Sequence, residues 1–223
     1  MLSESVQNYL KAIYALREDG TRATTNALAE RLGVAAASVT GMLKKLDEMK
    51  LIAWEPYQGA SLTMNGRKIA LEVIRHHRLI ELYLTSAMGY PWDKVHDEAE
   101  KLEHAISEDF EEAMVRMLGN PTRDPHGDPI PAKDGTVAAV SRRSLSETPL
   151  GEDARVERVR DADPEVLRRA ARLGLRPGVR VRVVARNAED GTLTVSIVAD
   201  GSLRAEQILE RAFAQDVFVV AAT

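Results

Sequence analysis

The sequence contains no cysteine. Disulfides, thiolate metal sites and thiol nucleophiles are therefore excluded. It has no run approaching the roughly 18 unbroken apolar residues that a membrane span requires, so no membrane role is expected. The opening stretch, MLSESVQNYLKAIYAL, has neither the basic start nor the small-residue cleavage site of a signal peptide, and a cytoplasmic location is expected. There is no HExxH, no Walker loop, no glycine-rich nucleotide fingerprint and no internal repeat. Those absences argue against an enzyme and against a small organic ligand.

The chain has 223 residues, 44% hydrophobic and 29% charged. That suits two or three small domains with true cores. The net charge of −4 is unevenly spread. Residues 1–75 carry +2, residues 76–135 carry −7 and residues 136–223 carry +1. All five histidines, His76, His77, His96, His104 and His126, fall in the acidic middle. Such a segment either ligates a divalent cation or is a solvated acidic surface with incidental histidines.

Apolar spacing predicts helices over 4–18, 26–32 and 36–49, with Thr24, Thr25 and Asn26 as cap candidates and Gly33 as a sharp stop. Pro56 and the Gln58-Gly59 pair divide two short apolar runs into a hairpin over 52–63. A long helix is expected from about 64 to 88, a second from Pro91 to about Ile106, and a third from a cap at Ser107 to Gly119. Residues 120–135 read as a structured loop and 141–153 as a polar linker. Strand-like runs at 154–159, 179–185, 192–198 and 217–221, with a short helix at 164–173, suggest a small SH3-like β-barrel. The expected class is α+β, with three segments at 1–63, 64–140 and 141–223.

A short helix, a glycine turn, a second helix with a slim polar start and a following hairpin form the winged helix-turn-helix pattern. Thr25, Ala35, Ala37, Ser38, Thr40, Gly41 and Lys44, with Gln58 at the wing tip, are the candidate DNA contacts. Hydroxyls and lysines suit phosphate, and alanine methyls suit thymine methyls. No arginine or asparagine stands at the reading end, so DNA shape and dimer spacing are expected to carry much of the specificity. Three packed helices of an ordinary α-domain are the alternative.

In VHDEAEKLEHAI, a helix would place His96, Glu100, Glu103 and His104 on one stripe; His77 and Glu81 lie four apart upstream. Two such stripes favour a metal site over surface ion pairs. Imidazole and carboxylate without thiolate suit manganese, ferrous iron, cobalt or zinc, and the oxygen content tilts towards manganese. Cadmium is a further possible substitute. A metal-binding enzyme or storage protein, and a DNA-binding regulator that senses something other than metal, are the rivals.

The segments NYLKAIYAL (8–16), LAERLGVAAASVTGMLKKLDEMKLI (28–52), LTMNGRKIA (62–70), RHHRLIELYL (75–84), KVHDEAEKLEHAIS (94–107) and HGDPIP (126–131) resemble the diphtheria toxin repressor family, which includes iron-dependent regulators and manganese transport regulators. DADPEVLRRAARLGLRPGVRVRVV (161–184) is similar to that family's SH3-like, FeoA-like domain. The resemblance implies a metal-dependent repressor, a homodimer paired through helices within 64–119, on a palindromic operator of manganese or iron uptake genes. It implies a primary metal site of Glu100, Glu103, His104 and the first-helix residue Asn8, where relatives carry methionine or aspartate. Glu100 stands where iron-type members have cysteine, which favours manganese over an iron-responsive alternative. Lys11 replaces a carboxylate of some manganese regulators, so a two-metal cluster is not expected to form in the same way. A second site is implied at His77, Glu81 and His96, or, as in one manganese-responsive branch, at Glu81 with Asp124 and His126. Asp124 and His126 fit turn formation equally well. Asp161 or Asp163 is a further ligand candidate, and the C-terminal barrel either supplies ligands or tunes the dimer as a protein–protein module.

Overall fold

Short polar side chains fix the first helices. In a computed structural model, residues 2–55, 58–199 and 202–222 are described. Helix α1 (Glu4–Glu18) starts at Ser3, whose hydroxyl accepts a hydrogen bond from the Val6 amide. Helix α2 (Thr25–Leu32) is capped in the same way by Thr24 and ends at Gly33 with φ +64°, a left-handed turn that suits glycine. Helix α3 (Ala36–Glu48) follows. Val6, Leu10 and Ile13 of α1 are buried, as are Leu28, Val39, Leu43 and Leu46. Strands β1 (Ile52–Glu55) and β2 (Gly59–Leu62) pair antiparallel, with Ile52 opposite Leu62. This is the expected winged helix-turn-helix. Pro56, expected in the hairpin turn, lies outside the described residues.

Helix α4 (Met64–Met88) begins where the Thr63 hydroxyl accepts from the Gly66 amide. Gly66 sits so close to the hairpin that a Cβ there would lie 1.9 Å from the Leu51 carbonyl oxygen. Helix α5 (Val95–Leu102) and helix α6 (Glu108–Met117) come next. The long second helix expected from Pro91 to Ile106 is corrected to one of eight residues. Trp92 is drawn into the core of the C-terminal sheet, and Glu103 turns inward and is buried. Both residues lie in turns outside the helix. Glu103 and His104 consequently lie in a turn after α5, and the single helical stripe read from the sequence does not form.

The chain divides into two compact units. One comprises 1–77, 101–111 and 131–136; the other comprises 78–100, 112–130 and 137–223. The second holds a five-stranded antiparallel sheet of order β6-β5-β4-β3-β7. Its strands are β3 (Asp153–Val159), β4 (Arg180–Arg186), β5 (Leu193–Ala199), β6 (Ser202–Leu209) and β7 (Val217–Ala221), with helices α7 (Pro164–Arg172) and α8 (Arg211–Gln215). The core joins Trp92, Leu145, Val156, Leu167, Val183, Val195 and Phe213.

Two expectations change here. The polar stretch 141–153 is not a free linker: Leu145 is buried in this core, Ser144 bridges to Phe218 in β7, and a one-turn helix forms at Leu145–Glu147. Strand β6 and helix α8 were not expected. Strand β6 is an edge strand in which exposed Ile208 stands beside buried Leu209, which blurs the apolar alternation that marks a strand.

Candidate metal centre

In the first unit, the turn after α5 meets helix α1. Gln7 and Lys11 lie four apart on α1, one helical turn, and Asn8 lies three before Lys11, so the three share a face. The His104 Nδ1 atom is 2.5 Å from Gln7 Oε1. An amide oxygen only accepts, so Nδ1 donates to it, and a neutral imidazole would then keep its lone pair on Nε2. That Nε2 is buried without a hydrogen-bond partner and lies 3.4 Å from Glu103 Oε1. Asn8 Oδ1 is likewise buried without a hydrogen-bond partner. Buried lone pairs of this kind cost free energy unless a cation or water meets them. Glu103 is itself fully enclosed and accepts from Lys11 Nζ at 2.7 and 2.9 Å and from His77 Nδ1 at 2.5 Å.

A neighbouring histidine is used differently. His76 Nδ1 donates to the Glu103 carbonyl and Nε2 lies 3.1 Å from Glu111 Oε2. Arg75 donates to the other Glu111 oxygen at 2.8 Å. Glu72, His76 and Glu108 offer donor atoms close together, but both carboxylates are exposed and both His76 nitrogens are engaged. That group is a structural clasp.

The second unit holds a donor set that is buried throughout. Glu81, Asp124 and His126 offer ligand atoms within 4.8 Å of one another. His126 Nε2 lies 2.9 Å from the Trp92 carbonyl oxygen, which accepts only. Nε2 therefore donates, and a neutral imidazole would keep its lone pair on Nδ1, 3.9 Å from Glu81 Oε2. This is the arrangement by which metal-ligating histidines are commonly oriented. His126 Nδ1 and Asp124 Oδ2 are both buried without a hydrogen-bond partner.

Asp124 Oδ1 accepts from the His126 and Asp128 amides at 2.8 and 2.9 Å. One carboxylate oxygen thus builds the turn while the other faces the donor set, so the turn role leaves an oxygen for a ligand role. Burial first, then the charges of Asp128 and Glu81, push its carboxyl well above the ordinary range; Arg78 opposes this. Asp128 is raised chiefly by burial. Arg78 Nε stands 3.6 Å from Asp124 Oδ2.

Of the two further acids, Asp161 acts electrostatically on both Asp124 and Asp128, whereas Asp163 caps α7 by accepting from the Glu165 amide. His96 is part-exposed, with Nδ1 3.4 Å from Glu81 Oε1 and Nε2 3.9 Å from Glu100 Oε1. Sequence reasoning missed Gln7, Arg78, Trp92, Glu111 and Asp128. Asp128 and Arg78 carried a signal, as parts of HGDPIP and RHHRLIELYL; the others act through contacts distant in sequence.

The candidate DNA contacts Ala35, Ala37, Ser38, Gly41, Lys44 and Gln58 are exposed, and Thr25 and Thr40 are half-buried. Thr40 Oγ1 donates to the Ala36 carbonyl at 3.1 Å, which leaves that hydroxyl free only as an acceptor.

Three family models match the chain: "Iron dependent repressor, N-terminal DNA binding domain" over residues 1–60, "Iron dependent repressor, metal binding and dimerisation domain" over 63–132, and "FeoA domain" over 143–221. The iron-dependent repressor IdeR of Mycobacterium leprae (strain TN) is 33% identical over 195 residues, covering 82% of this chain and 84% of its own. The diphtheria toxin repressor of Corynebacterium jeikeium (strain K411) is 30% identical, covering 85% and 88%. A solved manganese-dependent transcriptional repressor in complex with manganese is 41% identical, covering 97% of this chain and all of its own, with a TM-score of 0.88. With both repressor domain models matched in order and this identity held over most of its length, the chain belongs to the diphtheria toxin repressor family of metal-dependent, DNA-binding transcriptional repressors.

Proposed function

We propose that the chain is a manganese-responsive repressor that acts in the cytoplasm as a homodimer on a palindromic operator and shuts off manganese or iron uptake genes when metal is plentiful. The observation that carries this reading is the buried His104 Nε2, without a hydrogen-bond partner and beside Glu103, in a turn that Gln7 and Lys11 already tie to α1. Asn8, Glu103 and His104 are the activating ligands, and Glu100 is retained from its sequence position. Glu81, Asp124 and His126 hold a second ion, with Asp161 as the additional acid. His77 and His96 remain candidates beside these sites.

The donors fit the metal. They are carboxylate, amide and imidazole, with no thiolate, a set that suits manganese. A divalent ion at Asn8, Glu103 and His104 would take over from Lys11 in holding α1 on the turn. Helix α1 buries Val6, Leu10 and Ile13, so its position is transmitted to the helix-turn-helix it packs on. Two such reading heads in a dimer engage half-sites one turn, or a multiple, apart only at the right spacing. Metal and DNA then tighten each other's binding by the same factor. Exposed Ala35, Ala37, Ser38 and Gly41 present the slim face of α3 to the major groove, with Thr25, Thr40, Lys44 and Gln58 around it. The division at 1–63, 64–140 and 141–223 assigns reading, metal binding with pairing, and the FeoA-like domain.

The names of the curated relatives favour a second reading, activation by ferrous iron. Both are tested on a duplex selected by the protein from random DNA, with binding followed by fluorescence anisotropy under anaerobic conditions. Manganese should activate more strongly than ferrous iron, and the Glu103→Ala, His104→Ala double variant should lose the metal response while remaining folded. Activation by iron alone would remove manganese from the account. A double variant that still bound DNA only with manganese would remove the site.

A further inference from the structure

Glu103 is a buried carboxylate that is already neutralised. Lys11 Nζ lies within 2.9 Å of both its oxygens and 3.3 Å from His77 Nδ1. The Lys11 side chain is only 19% exposed and that of Glu103 is fully enclosed. An ion pair so placed is poorly screened by salt, and a buried carboxylate stripped of its partner is costly. In the metal-free chain, then, the ammonium group performs the charge compensation that an ion at Glu103 would perform.

Two cations, one tethered and one from solution, thus face the same anion. The geometry points to Lys11 as an internal competitor that sets the metal concentration at which the chain switches. This rests on Glu103 being a ligand of the activating ion. A divalent ion reaching Glu103 meets a positive charge held within hydrogen-bonding distance of both oxygens, and it gains full use of the carboxylate only as Lys11 swings away. The tether keeps the ammonium at high effective concentration, so the competition does not dilute out. Because the same ammonium links α1 to the turn, it also holds α1 near its metal-bound position beforehand. Lys11 is a positioning residue and not a ligand.

The test compares wild type with Lys11→Gln, Lys11→Met and Lys11→Arg. Manganese affinity is measured by competition with a chelating indicator dye at fixed pH and ionic strength, and the melting temperature of each metal-free protein is recorded. Lys11→Gln and Lys11→Met should bind manganese about tenfold more tightly or better, within the usual range of coupling between two binding events. Their metal-free forms should melt lower, and Lys11→Arg, which keeps the charge, should stay near wild type. If the neutral variants bind manganese no more tightly than wild type, the inference is overturned, and Lys11→Met decides the matter should Lys11→Gln not fold. Wild-type protein whose DNA binding ignores manganese would instead defeat the proposed function, which keeps the two failures apart.

Discussion

Gly127→Ala should weaken the proposed second metal site without altering any of its proposed ligands. Gly127 adopts φ +96°, a conformation that costs an L-residue about 1–2 kcal/mol. An added Cβ would lie 2.1 Å from the Glu157 carbonyl oxygen and 2.8 Å from Arg158 Cα. Both are strand backbone in β3 and have no room to yield, so the loop must lift. Lifting it breaks the Val159 amide hydrogen bond to the His126 carbonyl at 2.9 Å, worth about 1 kcal/mol net. It also loosens Arg123, which donates to the Gly127 carbonyl and pairs with Glu157. The expected loss is about 2–4 kcal/mol of stability in the metal-free protein. His126 and Asp124 move with the loop, so manganese should raise the melting temperature of the variant less than that of wild type. Scanning calorimetry with and without manganese reads both effects. A variant that melts like wild type and gains as much from manganese would refute the reasoning.

Other expectations follow from the same contacts. Trp92→Ala should cost about 3–5 kcal/mol, since Trp92 is buried in the sheet core, donates to the Pro125 carbonyl and backs His126; denaturant titration measures this. Gly66→Ala should force α4 away from the Leu51 carbonyl and destabilise the chain by about 1–3 kcal/mol, with weaker DNA binding at saturating manganese. Asp124 is expected to make metal-free stability depend on pH. Its carboxyl is raised chiefly by burial, so the folded chain holds a proton that the unfolded chain has released. Stability is then greatest below the ordinary carboxylate pKa and falls as pH rises through the raised folded value. Asp124→Asn, which keeps an oxygen for the turn, should flatten that slope and reduce manganese binding; denaturant melts across pH decide.

The local parts of this fold were open to sequence reasoning. Thr24, Gly33 and Ser107 mark helix ends through bonds to residues within four positions, and the 3.6-residue spacing of Val39, Leu43 and Leu46 needs no tertiary knowledge. The second helix was read too long because VHDEAEKLEHAI has helical spacing throughout. The burial of Trp92 against a sheet some 60 to 130 residues later, and of Glu103 against Lys11, is not visible in that spacing. Strand β6 was hidden because its outward residue Ile208 is apolar, which blurs the alternation. For the candidate site, residue types and spacing pointed to Glu103, His104 and Glu81, and the family resemblance implied Asp124 and His126. The orientation of each imidazole was not legible, since it depends on Gln7 and on the Trp92 carbonyl, 97 and 34 positions away.

The most direct test is an anomalous-difference map at the manganese absorption edge, from crystals of the full chain grown with manganese. One peak should stand among Asn8, Glu103 and His104 and another among Glu81, Asp124 and His126. A map without a peak at the His104 turn, in protein whose DNA binding responds to manganese, would contradict the claim that this turn and α1 share the activating ion.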